Sequence, residues 1–243
     1  YLSLPEDSRI SKVLRRMSRE DDPEKFIAYG NQLQEALVAA DNARYIRRSL
    51  DMICDSLLDL IHSGPNYEAK LHAAKCLGRL GHALDQDFKR FMEWVFPNYT
   101  VERNDEVRGL LLKAVLETVR LEREQPRLKD FAQTLMYNVH VALEAVDKSH
   151  LLLVALEVIL DLASMYPDLF TKYFTDTVDI LVGWHIDLTT PPSVINYASQ
   201  SLQRLSYYWA NDIDFSVTML RHFLEDAESF TEELNESPSE DRQ

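Results

Sequence analysis

The segment of residues 176–187, DTVDILVGWHID, restricts the possible folds more than any other stretch of the chain. At about 100° per residue, a helix here gathers one apolar stripe: Phe174, Val178, Leu181, Val182 and His185. Ile180 and Trp184 lie well outside that stripe and form a second apolar flank. A surface helix usually carries a single apolar stripe. A helix with two apolar sides has to pack between two neighbours, as in a stacked helical array.

The rest of the chain also favours helices. Only six glycines occur among 243 residues, and long runs contain neither glycine nor proline, which suits an almost wholly helical protein. After a basic first helix, the predicted helices fall into pairs near residues 22–63, 67–99, 103–146, 148–187 and 191–234. Each pair has the length of a HEAT or armadillo unit.

We therefore predict an all-α, HEAT/armadillo-like helical-repeat solenoid of about five antiparallel helix pairs plus an N-terminal helix. The predicted parts are a basic lead-in helix (1–21), a helical-repeat arch (22–236) and a polar tail (237–243). A compact helical bundle is the alternative fold.

Local patterns support helical repeats. Asp105, Val107 and Arg108, followed by Leu111 and Ala114, match the pattern that begins the second helix of a HEAT unit. Small residues that would allow a neighbouring helix to approach closely recur in the predicted fourth helix: Ala69, Ala73, Ala74, Gly78 and Gly81.

Several helix boundaries and buried faces are also predicted. One helix should begin at Asp85 and end before Pro97, and another should run from about residue 168 to 187. The last helix should turn its large apolar residues inward: Phe215, Leu220, Phe223, Leu224 and Phe230.

The net charge of −14 argues against broad binding to nucleic acid or to an anionic membrane, because phosphates attract a basic surface. No apolar run approaches the ~18 residues of a membrane span, and no signal peptide opens the sequence. Cys54 and Cys76 lie in apolar-periodic segments and are predicted to be buried free thiols in a reducing compartment. We expect a cytoplasmic location.

No sequence motif indicates catalysis. His72 and Cys76 are four residues apart on one predicted helix, but no second Cys/His pair completes a zinc site. The sequence therefore predicts a non-catalytic protein with no metal, no cofactor and no small-molecule substrate.

Arg15, Arg16 and Arg19, with Lys12, fall on one face of the first helix. They are a candidate contact for RNA, a phosphate or an acidic partner surface. The alternative is a solvated face that is neutralised by the acidic residues 20–22.

Within residues 176–187, a narrow polar strip contains Asp176, Asp179, Gly183 and Asp187. Trp184 is interpreted as packing between repeats, and His185 as a hydrogen-bonded core residue. If Trp184 were exposed beside Asp187, it would be a plausible interface hot spot. The candidate protein-interaction residues are Arg15, Arg16, Arg19, Asp176, Asp179, Ile180, Trp184 and Asp187.

Three segments carry a family resemblance: residues 8–22 (SRISKVLRRMSREDD), residues 176–187, and residues 223–226 (FLED). They resemble, in order and rough spacing, stretches near the N-terminus of the Smg kinases of nonsense-mediated mRNA decay. These kinases are phosphatidylinositol-3-kinase-related protein kinases.

The resemblance implies a HEAT-repeat scaffold arm of a protein Ser/Thr kinase whose catalytic domain lies elsewhere. In that family the kinase phosphorylates the Upf RNA helicase, and the arm docks a regulatory Smg heterodimer, one member of which is GTPase-like. The alternatives are a generic HEAT-repeat adaptor or a weak RNA-contacting solenoid. No catalytic or ATP-binding residue of the family maps onto this chain.

Overall fold

The computed structural model describes residues 8–84, 87–123, 127–144, 147–169 and 174–236. Within these ranges the chain forms eleven α-helices and no β-strand. The helices are α1 (Arg9–Met17), α2 (Pro23–Val38), α3 (Ala43–Ser63), α4 (Tyr67–Ala83), α5 (Phe88–Val101), α6 (Asp105–Leu121), α7 (Arg127–Leu143), α8 (Ser149–Met165), α9 (Thr175–Ile186), α10 (Pro192–Trp209) and α11 (Ile213–Glu236). Two 3-10 turns cover Ala40–Asn42 and Pro167–Leu169.

Short polar side chains start several helices. The Asp22 carboxylate accepts the backbone N–H of Glu24 at 2.9 Å, and the Asn66 carbonyl oxygen accepts that of Ala69 at 2.8 Å. Each satisfies a donor that a helix start leaves without a partner. These bonds span two or three residues, so the local sequence is sufficient to place these helix starts.

The chain divides into two compact units, Tyr1–Phe131 and Ala132–Gln243. In the first unit, α1 packs against α2, α3 packs against α4, and α4 lies between α2 and α6. In the second unit, α9 contacts both α10 and α11, and α10 also contacts α8. Helical repeats typically consist of packed helix pairs in which every second helix along the chain lies side by side, as α2, α4 and α6 do here. The predicted all-α, HEAT/armadillo-like class is therefore confirmed.

Helix α4 approaches its neighbours closely through small residues. A Cβ on Gly78 would lie 2.6 Å from the carbonyl oxygen of Ala114 on α6. The Thr118 hydroxyl donates to the Gly78 carbonyl at 2.8 Å. On the α2 side, a Cβ on Gly30 would lie 2.3 Å from the imidazole of His72. The predicted close approach along α4 is confirmed.

Two details of the prediction were wrong. Helix α5 continues through Pro97 to Val101, because Tyr99, beyond the proline, is buried to 1% exposure. In α11, Phe215 and Met219 are buried, but Leu220 and Leu224 are 58% and 57% exposed. The face of α11 that packs against α9 is thus rotated away from these two leucines.

Other expectations stay predictions. Asp85, the predicted start of α5, lies outside the described residues, and so do residues 170–173 and 237–243. The limits of the lead-in helix (1–21), the arch (22–236) and the tail (237–243) also stay predictions.

Replacing Gly78 by Ala should destabilise the first unit by about 1–3 kcal/mol, as over-packing of a core does. The added methyl group would meet a backbone atom that cannot rotate away. Gly183→Ala is the control, because a Cβ there has nothing within 4 Å. That substitution should be neutral or gain up to about 1 kcal/mol of helix propensity. Urea denaturation followed by circular dichroism measures both, and equal effects would contradict the close approach.

Met219 and Leu220 are neighbours in sequence, but only Met219 is buried. Met219→Ala should cost about 2–5 kcal/mol, the usual loss for truncating a buried side chain. Leu220→Ala should change stability by less than about 0.5 kcal/mol. Thermal unfolding of the two variants tests the rotation of α11, and a larger loss from Leu220→Ala would refute it.

Candidate functional site

The arginines of α1 lie on its exposed side. Ile10, Leu14 and Met17 bury the opposite side, with at most 3% exposure, while Arg15 and Arg16 belong to the last helical turn. Cations at a helix C-terminus are favoured by the helix dipole. The packing of α1 on α2 therefore holds its basic side toward solvent.

Both arginines at the end of α1 contact neighbouring groups. The Arg16 guanidinium lies 6.0 Å from the centroid of the Tyr29 ring, and Arg15 Nε donates to the Ser11 carbonyl at 3.4 Å. Among the neighbouring acids, Glu20 accepts the backbone N–H of Asp22 at 3.1 Å. Asp22 itself pairs with Lys25 at 3.8 Å. These two carboxylates thus serve the turn and the start of α2.

Helix α9 buries most of the stripe predicted for it. Phe174, Val178 and Leu181 are at most 1% exposed. Trp184 is 8% exposed, as expected for a residue that packs between helices. Ile180 is partly exposed.

His185 was predicted in the core, and this was wrong. Its side chain is exposed, with Nδ1 2.9 Å from the Leu181 carbonyl oxygen and Nε2 2.8 Å from the Ser199 hydroxyl. The buried face includes Thr177 and Trp184, so His185 falls at its edge. There the polar imidazole keeps contact with water as well as with α10.

The members of the polar strip have different roles. Asp176 is exposed, and a Cβ on Gly183 would enter open space. Asp187 closes the turn after α9, since it accepts the Thr189 backbone N–H at 2.8 Å and the Thr189 hydroxyl at 2.7 Å. These hydrogen bonds lower the pKa of Asp187. Asp187 is therefore a turn residue.

Asp179 faces α11. One carboxylate oxygen, Oδ1, is buried without a hydrogen bond and lies 3.7 Å from Nδ1 of His222. Burial raises the pKa of Asp179, and Asp226 and Asp176 raise it further, whereas His222 lowers it. Asp179 is thus an acid in a partly dry position between two helices.

Three of the predicted residues line one groove in the second unit. This groove, called here the α7–α9 groove, has a volume of about 450 Å³. Its lining residues are Tyr137, His140, Val141, Leu143, Glu144, Asp176, Ile180 and Trp184. Asp176, Ile180 and Trp184 are thus brought together, and α7 with the residue after it supplies the other wall.

The α7 wall was missed by the sequence reasoning. The signal that could have identified it is the helical spacing of four residues, which places them on one face of a helix: Tyr137, His140, Val141 and Glu144. The Tyr137 side chain is 73% exposed. His140 Nε2 lies 2.6 Å from the Thr177 hydroxyl on α9. Burial lowers the pKa of His140, although Asp176 opposes this shift, so the imidazole is neutral at neutral pH.

The chemistry available elsewhere is limited. The Cys76 thiol is buried on α4 and lies 3.6 Å from the Gly30 carbonyl oxygen, to which it donates. Burial raises the pKa of Cys76 to about 12, and a protonated thiol is a poor nucleophile and metal ligand. Cys54 is also buried. No group of three potential metal ligands converges within the described ranges.

No helix in the described part of the chain is long and apolar enough to cross a membrane. The fold and the groove together define a class: a helical-repeat protein with an open groove between two of its helices.

Comparison with known proteins gives a more particular result. The chain is 38% identical over 236 residues to the serine/threonine-protein kinase SMG1 of Danio rerio, which covers 96% of the chain and 6% of that kinase. It is 26% identical over 227 residues to serine/threonine-protein kinase Smg1 of Drosophila melanogaster, which covers 93% of the chain and 7% of that kinase. No family model and no solved structure matches.

The chain is therefore similar, over nearly its whole length, to one short segment of the Smg1 kinases. This confirms the resemblance inferred from sequence. A protein-kinase catalytic domain carries its ATP-binding lysine on a β-strand beneath a glycine-rich loop. The described residues form helices and no strand, and the match spans 6% to 7% of each kinase. The described residues thus contain no protein-kinase catalytic domain.

Asp179→Asn should raise the unfolding temperature at neutral pH. The pKa of folded Asp179 lies above the ordinary value of 3.8, so its ionised form opposes folding at neutral pH. The advantage of Asn should shrink as the pH falls and Asp179 takes up a proton. Calorimetry from neutral pH down to below 3.8, the ordinary pKa of an aspartate, measures the difference in unfolding temperature between the two proteins.

Asp187→Asn is the comparison of opposite sign. Hydrogen bonds from Thr189 lower the pKa of Asp187 below its ordinary value of 3.8. At a pH above 3.8, the ionised form of Asp187 therefore favours folding. This substitution should lower the unfolding temperature at neutral pH, and less so as the pH falls. The same direction of change in both variants would refute the contrast between the two sites.

Proposed function

We propose that this chain is a non-catalytic scaffold arm of a serine/threonine kinase of nonsense-mediated mRNA decay, and that it docks the regulatory Smg heterodimer. The observation that carries the proposal is the 38% identity to SMG1 across 96% of the chain. A chain of helical repeats suits this role, because stacked repeats expose long surfaces for partners.

Two surfaces are candidate contacts. One is the basic side of α1, with Arg15 and Arg16, together with Arg19 in the turn that follows the helix. The other is the α7–α9 groove, to which Ile180 and Trp184 contribute. Arginine, tryptophan and tyrosine are the residue types that most often dominate binding at protein interfaces. Asp176 lines the groove. Asp179 faces α11, and Asp187 would act only through the turn that it closes.

RNA binding is the weaker candidate, since the net charge is −14 and phosphate binding needs a basic surface. The two buried free thiols, Cys54 and Cys76, fit the reducing cytoplasm, which is the compartment we propose.

Charge reversal at the three arginines, Arg15→Glu with Arg16→Glu and Arg19→Glu, should reduce recovery of the Smg heterodimer in a pull-down at least tenfold. The unfolding temperature should stay within about 2 °C, because exposed substitutions cost little stability. Lys75→Glu with Lys89→Glu and Arg103→Glu is the control, since it changes the charge equally at other exposed positions.

Unchanged recovery of the heterodimer would exclude the basic side of α1 as a contact. Equal losses in both triple variants would assign the effect to net charge alone. A salt titration tests RNA binding, the second candidate function, because phosphate contacts weaken steeply with salt.

A further inference from the structure

We propose that the α7–α9 groove binds an arginine side chain of a partner protein, with its aliphatic stem against Ile180 and Trp184 and its guanidinium between Glu144 and Asp176. This inference rests on the docking function proposed above and names the chemistry of the ligand. It follows from the charge, the apolar lining and the open shape of the groove.

The charge of the groove is negative. Among the described residues, its titratable lining groups are Tyr137, His140, Glu144 and Asp176, with no lysine or arginine. His140 is held by Thr177 at 2.6 Å and is neutral at neutral pH. Glu144 and Asp176 are exposed, so their carboxylates are available to a ligand.

The groove is also apolar in its lining. Val141, Leu143, Ile180 and Trp184 contribute to it, and Trp184 is largely covered by the protein. The Tyr137 ring, by contrast, is 73% exposed. A cation placed over such a ring is attracted by its π-electrons. The apolar lining suits the methylene groups of a long basic side chain, which can be buried while its charged end stays near polar groups.

Arginine fits this combination better than lysine. Its planar guanidinium donates several hydrogen bonds in a fixed fork, which suits carboxylates, and it stacks on aromatic rings. Phosphate groups and acidic peptides would be repelled by Glu144 and Asp176. A second copy of this chain is disfavoured because its net charge is −14.

The test uses two capped peptides as probes, Gly-Leu-Arg-Leu-Gly and the same peptide with citrulline in place of arginine. Citrulline keeps the length and planar end group of arginine but carries no charge. The indole N–H signal of Trp184 is followed by NMR and identified with the Trp184→Phe variant. We expect the arginine peptide to shift this signal and to bind at least tenfold more tightly than the citrulline peptide.

The double variant Glu144→Gln with Asp176→Asn should abolish the preference for arginine. The control, Asp214→Asn with Glu228→Gln, removes the same charge from exposed positions on α11 and should keep the preference. Equal affinity for the two peptides would overturn the proposal, as would no binding at millimolar concentration. Equal loss of the preference in both double variants would also overturn it, because the effect would then come from the general charge.

Failure of this inference is distinguishable from failure of the docking function. The peptide experiment involves no Smg subunit, whereas the pull-down reads recovery of the heterodimer itself. Peptide selectivity with no heterodimer recovered would leave the arginine site in place and refute the proposed partner. Recovery of the heterodimer without peptide selectivity would refute the arginine site and leave the docking function in place.

Discussion

The packing of α4 between α2 and α6 is the constraint on which the first unit depends. Most of the stability of a helix in a protein comes from packing of its apolar face against neighbours, so α4 depends on α2 and α6. On one side, Gly78 of α4 meets the backbone of Ala114 on α6. On the other side, the imidazole of His72 on α4 occupies the space that a side chain at Gly30 of α2 would need. The Thr118 hydroxyl bridges α6 to α4 at 2.8 Å. Close contact on both sides makes α4 the centre of that unit.

In the second unit, α9 likewise has to pack against neighbouring helices, but part of its apolar surface stays open. Helix α9 is apolar on more than one side, and contacts with α10 and α11 cover part of that surface. Its other side meets α7, where Ile180 and Trp184 line a groove that the protein itself does not fill. Because α7 contributes Tyr137 and the residue after its C-terminus is Glu144, the uncovered apolar surface is framed by an aromatic ring and a carboxylate. A candidate docking site thus arises from incomplete burial between two helices.

Sequence reasoning found half of this site. Ile180 and Trp184 stood out because two apolar residues off the main stripe are unusual, and Asp176 lies beside them. Tyr137, His140 and Glu144 gave no comparable signal, since polar and aromatic residues at helical spacing also describe a solvated face. His185 was placed in the core because a periodicity of about 100° per residue cannot locate the centre of a wide buried face. Asp187 was assigned to a surface strip, although its hydrogen bonds belong to a turn.

The sequence by itself determined the helices, many of their boundaries and the identity of most buried residues. Those features depend on bonds within four residues, such as the cap by Asn66 on Ala69, and on apolar spacing along one helix. The tertiary structure decided which helix faces meet. Contacts such as His82 with Glu122, at 2.6 Å, or His140 with Thr177, also at 2.6 Å, join residues about forty positions apart. They depend on the distance and rotation between helices. The volumes of the side chains at the interface set both quantities, and no local sequence pattern encodes them.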